Sequence, residues 1–341
     1  MLNKESEKII RKYQKTAISK NQPVTVFLTS SNRSEFIYHA ISSILNQDYN
    51  NFCFVILDNF SDDGTEEIIK SFKDERMFFL QRTSTLEKPN FMFAFSICVT
   101  EYIVIFHDDD IVEKNYLSVM LPVIEQSDIQ LLSPSSSILN QSGKIIRKPL
   151  NPSRIYLNDS YLKSFIKRDK KMAILCFPAN MYQTNFYRNM NDYLKVVEAG
   201  PASDQYLILQ TERNGGKIQV IPDHLINYRV HKNQSSSQMS GMMELQLIRF
   251  LMQDNYYKEK IIKYKKYFYK YLLSAYKALA INYSRNRDES VRNCLKMEKN
   301  FYSGLGWKCR MVCLAYNISY YFFSITIAPY AAWLRWKRKD E

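Results

Sequence analysis

Residues 24–58, VTVFLTSSNRSEFIYHAISSILNQDYNNFCFVILD, decide the fold. The run Val24–Thr29 is apolar and β-branched without polar alternation, the pattern of a strand buried on both faces. After it, Phe36, Ile37, Ala40, Ile41, Ile44 and Leu45 recur at helical spacing and define one apolar face. Residues 52–57, FCFVIL, form a second buried strand that ends on Asp58. A strand, a helix and a strand in so short a span make a βαβ unit, and its strands must run parallel.

The alternation continues outward. Residues 61–72, SDDGTEEIIKSF, supply turn residues and then a helix with Thr65 near its start. RMFFLQ (76–81) reads as a third strand, NFMFAFSICV (90–99) as a buried helix and YIVIF (102–106) as a fourth strand. A short polar helix over residues 4–16 precedes them all. The expected fold class is α/β, a Rossmann-like, mostly parallel sheet flanked by helices.

Beyond Leu121 the order is less regular. The Ser-rich LLSPSSSILNQSGK (131–144) reads as a hairpin or turn, from its turn-forming residues. AGPASDQYLILQTERNGG (199–216) places Asp204 at the start of a helix that stops at the Gly pair, and KIQVI (217–221) is a further strand. After residue 240 the chain turns to Lys- and Tyr-rich helices. The expected organisation is a helical lead-in at 1–22, an α/β domain at 23–240 and a basic helical region at 241–341.

In such sheets ligands bind outside the carboxyl ends of the strands. Two of those ends are acidic: Asp58 after the second strand, and Asp108, Asp109 and Asp110 after the fourth. One aspartate could cap a helix starting at Ile111. Three adjacent carboxylates repel one another, and a folded chain keeps them where a cation or many donors offset the charge. A hard divalent ion fits, since it takes oxygen ligands and brings phosphate oxygens with it. Asp58, Asp62 and Asp63 read singly as turn formers and together as one wall of a nucleotide pocket. His231, with Arg229 close by, reads equally as a loop histidine or a ligand.

The charge is unevenly spread. Of 47 Lys and Arg, 19 lie from Leu245 to Glu341 against 7 of the 34 Asp and Glu, so nearly all of the net +13 sits there. Met311–Leu334 has no charged residue and is flanked by Lys308, Arg310, Arg335 and Lys337. Charge and apolar run together favour an anionic membrane surface as partner. A monotopic anchor is expected over a membrane span, with a buried core helix as the third reading. No nucleic-acid-binding motif is present, and nucleic acid is not an expected partner. Six cysteines without Cys-x-x-Cys pairs, several inside apolar runs, point to a reducing compartment. The charged segment MLNKESEKIIRKYQK lacks the apolar core of an export signal. The expected location is cytoplasmic, peripheral or monotopic at the inner face of the cell membrane.

Over about residues 24–235 these segments resemble the family 2 glycosyltransferases of the GT-A fold. Asn32 and Arg33 follow the first strand, Gln47 precedes the second, and LDNFSDDGT (57–65) stands where the family shows VDDGSTDGT. The resemblance implies transfer of a sugar from a nucleotide-diphosphate donor, with Ser30, Asn32, Asp58, Asp63 and Asp108 around the nucleotide. The family's Asp-x-Asp motif falls on His107–Asp110, with His107 where the first Asp usually stands. Asp109 would then be the principal ligand of Mn2+ or Mg2+, assisted by Asp108 or His107. SDQYL (203–207) resembles the helix start that carries the family's general base and selects Asp204, although Ser203 replaces the usual Glu. NYRVHKNQSS (227–236) resembles the segment closing over the diphosphate, so Arg229 and His231 would meet phosphate or metal, with Asp110 near them.

The resemblance further implies an inverting reaction on a glycan or lipid-linked acceptor, as in bacterial surface polysaccharide or lipopolysaccharide synthesis. Two alternatives stay open. A metal-dependent nucleotidyltransferase would carry a Gly-rich phosphate loop after the first strand, and LTSSNRSEF (28–36) has no glycine. A non-catalytic, membrane-associated GT-A-like protein would keep the fold without the chemistry.

Overall fold

The computed structural model describes residues 4–82, 89–167, 177–190, 193–231, 234, 242–264, 267, 268, 271, 272, 274 and 275. The chain divides into two compact units. The first takes Met1–Ser160, Ala173–Glu198 and Leu207–His231, and the second takes Tyr161–Met172, Ala199–Tyr206 and Lys232–Glu341.

Among the described residues, the first unit is built on a ten-stranded sheet. Its strands are β1 (Val24–Ser30), β2 (Phe52–Asp58), β3 (Met77–Gln81), β4 (Tyr102–His107) and β5 (Ile111–Val112), then β6 (Leu131–Leu139), β7 (Ile145–Arg147), β8 (Arg154–Tyr156), β9 (Met181–Gln183) and β10 (Ile218–Arg229). The order is β3-β2-β1-β4-β9-β6-β10-β5, with β7 beside β6 and β8 beside β10. β3, β2, β1, β4, β6 and β10 share one direction, while β9, β5, β7 and β8 oppose it. The sheet is therefore mixed and mostly parallel.

Helix α1 (Lys4–Ser19) buries Ile10, Tyr13 and Ala17. Tyr13 Oη lies 3.0 Å from Thr25 Oγ1, which fixes the helix to the sheet. Helix α2 (Ile37–Leu45) buries Ile37, Ala40, Ile41 and Ile44 in one core cluster with β1, β2 and β4. The isoleucines contribute about 1.5–3 kcal/mol each by leaving water. Helices α3 (Thr65–Ser71) and α4 (Asn90–Ile97) complete the alternation read from the sequence. Cys53 and Cys98 are free, buried thiols. Burial pushes the Cys53 thiol up to about 12, as suits an inert core residue.

Two segments differ from the sequence reading. The Ser-rich stretch does make a hairpin with β7, but residues 131–139 are also a buried inner strand. The serines fit because neighbouring carbonyls satisfy them, as Ser135 Oγ donates to Ile221 O at 2.8 Å. No helix starts at Ile111. Residues 111–112 form β5, antiparallel to β10, and helix α5 (Tyr116–Glu125) begins five residues later. Asp110 is not a helix cap.

Helices α6 (Ser160–Lys167), α7 (Thr184–Arg188), α8 (Tyr193–Glu198) and α9 (Ser203–Arg213) follow in chain order. In the second unit, α10 (Met242–Gln253) buries Leu245, Leu247, Ile248 and Leu251, and α11 (Asn255–Lys263) buries Tyr257 and Ile261. Tyr206 meets Phe250 edge-on at 4.9 Å. Asp254 caps α11, accepting from Tyr256 N at 3.0 Å. Among the described residues no helix is long and apolar enough to cross a membrane. The segment 311–334 lies outside the described residues.

Candidate active site

Parallel register brings the acidic strand ends to one edge. Ser30 pairs with Asp58 across β1 and β2, and Thr29 pairs with His107 across β1 and β4. The two loops that follow β1 and β2 are stitched by side chains. Asp58 is fully buried, and its carboxylate accepts from Ser61 N at 2.9 Å and Ser61 Oγ at 2.6 Å. Each oxygen keeps a second lone pair for an incoming donor. Asn32, at φ 51°, donates its N–H to Ser61 Oγ at 2.8 Å and accepts from Asp62 N at 3.0 Å. Asp63 is exposed and accepts from Ser34 N, Thr65 N and Thr65 Oγ1. Its slight burial works against ionisation, but those donors outweigh it and hold the carboxyl below the ordinary range.

The three aspartates point to different partners. Asp108 Oδ2 accepts from Ser31 N at 2.9 Å, and Arg33 Nε lies 3.4 Å from Asp108 Oδ1. Burial first, and the adjoining Asp109 second, push Asp108 up to about 7. Asp109 Oδ2 lies 2.9 Å from His231 Nε2, with both side chains buried. Asp110 Oδ1 accepts from Arg229 N at 2.9 Å. Its Oδ2 is buried without a hydrogen-bond partner. Burial and the neighbouring Asp109 charge raise the Asp110 carboxyl well above its ordinary range. Burial lowers the pKa of His107, which keeps its imidazole neutral and its lone pair available.

His107, Asp109 and Asp110 each offer one ligand atom within 4.8 Å of the others. The orphaned Asp110 oxygen and the mutual repulsion of the carboxylates are what a divalent cation would relieve, so the donor set fits one. Ser30 Oγ is also buried at the same strand level, and its hydroxyl favours the charged form of Asp108.

Arg229 is taken up by the protein itself. Its Nε donates to Asp109 O at 2.8 Å, its Nη1 to Gln141 O at 2.9 Å, and its guanidinium lies 4.9 Å from the Phe36 ring. This makes it a brace of the aspartate loop. Phe36 also packs against His231, with ring centroids 5.0 Å apart. The sequence reading placed Phe36 only on a core-facing helix stripe, and no local pattern marks it otherwise. Gln47 stands out in the sequence only through the family likeness. It is buried, donates to Glu113 O at 2.8 Å and accepts from Leu117 N at 3.0 Å. It thereby supports the first turn of α5, where Asn115 supplies no side-chain cap.

The first unit thus gathers Ser30, Asn32, Asp58, Asp63, His107, Asp108, Asp109, Asp110, Arg229 and His231 along one sheet edge. Asp204 belongs to the second unit, half-buried in the first turn of α9. Burial pushes its carboxyl up to about 6, against an opposing hydrogen bond from Gln205 N.

A mixed, mostly parallel sheet with a cluster of His and Asp side chains at its strand ends defines a GT-A-like α/β fold. The model of glycosyl transferase family 2 matches residues 5–190, more than half of the chain, and the chain belongs to that family. It is 27% identical over 213 residues to an uncharacterized glycosyltransferase of Methanocaldococcus jannaschii, covering 61% of this chain and 70% of that one. The crystal structure of S. aureus TarS 1–349 superposes with a TM-score of 0.56 at 14% identity, covering 88% of this chain and 91% of that one. The same TarS fragment in complex with UDP-GlcNAc gives 0.56 at 15% identity, with the same coverage. The protein is a glycosyltransferase.

Proposed function

We propose that this glycosyltransferase inverts the anomeric centre, moving a sugar from a nucleotide diphosphate to a hydroxyl of a lipid-linked glycan at a membrane surface. The observation that carries the reading is the cluster His107, Asp109 and Asp110 with one buried carboxylate oxygen left unpaired. These three residues would hold Mn2+ or Mg2+, and His231 orients Asp109 from behind. The bound cation would supply Lewis-acid stabilisation of the leaving diphosphate.

The remaining roles belong to the chain's own groups. Asp58 and Ser30 hold the nucleoside, with Asn32 and Asp63 shaping the loops around it. Asp108 reinforces the donor pocket through Ser31. Arg229 braces the aspartates. Asp204 is the general base: the acceptor oxygen attacks the anomeric carbon and its proton passes to the Asp204 carboxylate. The bond from that carbon to the diphosphate oxygen breaks, and the electron pair leaves with the diphosphate. A pKa near 6 suits that task, since the group is ionised at neutral pH yet basic enough to accept a proton.

The test is release of nucleoside diphosphate across a donor panel, with and without Mn2+ and Mg2+, using membrane extract as acceptor. UDP sugars come first in the panel, because the TarS fragment was solved with UDP-GlcNAc. Extract-dependent release for one donor, abolished by chelator and by Asp109→Asn and Asp204→Asn separately, is expected. No release from any donor would sink the reading.

A further inference from the structure

One surface of the first unit has no part in the site described above. Residues 142–157 form an arm beyond the β6–β7 turn, and between Asp128 and Asp159 the chain has no acidic residue. Lys144, Arg147 and Lys148 are exposed on the arm, and Arg154 follows on β8. Among them stand aliphatic side chains facing water: Ile146 is 59% exposed, Leu150 99% and Ile155 52%, with Ile145 and Leu157 also exposed. Single exposed apolar residues are ordinary, whereas five within residues 145–157 are an unusual concentration for one arm.

The arm is held in place. β7 pairs with β6, His224 Nε2 lies 2.9 Å from Pro149 O, and β8 pairs with β10 over Ile218–Val220. The fold therefore keeps these aliphatic groups outward by ordered contacts.

We propose that the arm docks on an anionic lipid bilayer, its lysines and arginines against the headgroups and Ile146, Leu150 and Ile155 in the interface. It rests on the membrane-bound acceptor of the preceding section for its purpose. Charge complementarity selects the occupant. An isologous contact with a second copy would set one arm free of acidic residues and rich in Lys and Arg against another of the same charge. Polyanions without an apolar phase would leave the aliphatic groups in water. A bilayer with anionic lipid accommodates both.

The arm's root is tied to the aspartate edge. Asn140 and Gln141 carbonyls accept from Arg229 Nη1, and Gln141 Nε2 donates to Glu35.

The experiment is co-sedimentation of the full chain with phosphatidylcholine vesicles, with and without phosphatidylglycerol, in the absence of donor and acceptor. Binding is expected only with phosphatidylglycerol, released by salt. Lys144→Gln/Arg147→Gln/Lys148→Gln should weaken it by about a hundredfold, at about fivefold per cation. Ile146→Ser/Leu150→Ser should weaken it further and leave nucleotide-sugar binding unchanged, which reports that the variants are folded. Wild-type affinity in the triple variant would place docking elsewhere in the chain and overturn the proposal. So would a dimer that the variants dissociate while vesicle binding persists. Because no sugar transfer is measured, loss of the arm's role and loss of the proposed reaction give separate results.

Discussion

His231 Nε2 and Asp109 Oδ2 stand 2.9 Å apart although 122 residues separate them in the chain. The contact joins the end of β10 to the aspartate loop after β4, and Phe36 covers the imidazole. A buried histidine on a ligating carboxylate orients it, and loss of such a partner costs about 10–100-fold in metal affinity or activity. His231→Ala is therefore expected to raise the Mn2+ concentration for half-maximal activity by that factor. A variant with lower kcat but unchanged Mn2+ dependence would remove His231 from the metal site.

His107 makes the site unlike an all-carboxylate one. A neutral imidazole nitrogen favours transition metals over Mg2+, which demands oxygen ligands. Higher kcat/KM with Mn2+ than with Mg2+ is expected for the wild type, and His107→Asp should narrow the ratio. An unchanged ratio in that variant would mean that His107 does not face the ion.

The alternation of buried strands and helices up to Asp110 was readable because local periodicity carries it, and the strand-end acids followed from the parallel direction. The parts that escaped reading depend on distant partners. Residues 131–139 carry turn-forming residues yet lie inside the sheet, since the bond that satisfies Ser135 comes from Ile221, 86 residues on. Arg229 is expected at phosphate or metal only through the family likeness, and its bonds to the Asp109 and Gln141 carbonyls have no sequence signature. Gln47 shows the same limit: its partners at Glu113 and Leu117 lie 66 and 70 residues away.

Gln47 can be tested through stability. Gln47→Leu keeps the volume but leaves the buried Leu117 N without its partner, while Glu113 O keeps the bond from Tyr116 N. Such a loss costs about 1–3 kcal/mol. Urea unfolding should give a loss of at least about 1 kcal/mol, with kcat reduced because the same loop leads back to Asp110. A change below about 0.5 kcal/mol, the range of neutral surface substitutions, would show that the amide is not needed.

Asp204 combines a catalytic and a stability prediction. Its carboxyl is pushed up to about 6 by burial, so the folded chain holds that proton more tightly than the unfolded chain does. The resulting stabilisation is complete below the ordinary carboxylate range and is lost as pH rises to about 6. Asp204→Asn stays neutral throughout. Its melting temperature relative to wild type should therefore climb across that window and level off above it, while sugar transfer is lost. In the wild type, kcat/KM should rise with pH through about 6, since the base must be ionised to accept the proton. An Asp204→Asn melting difference that is the same at pH 4 and pH 8 would show that the carboxyl does not titrate as its burial requires. Transfer that survives in Asp204→Asn with the acid limb intact would assign the base to another residue.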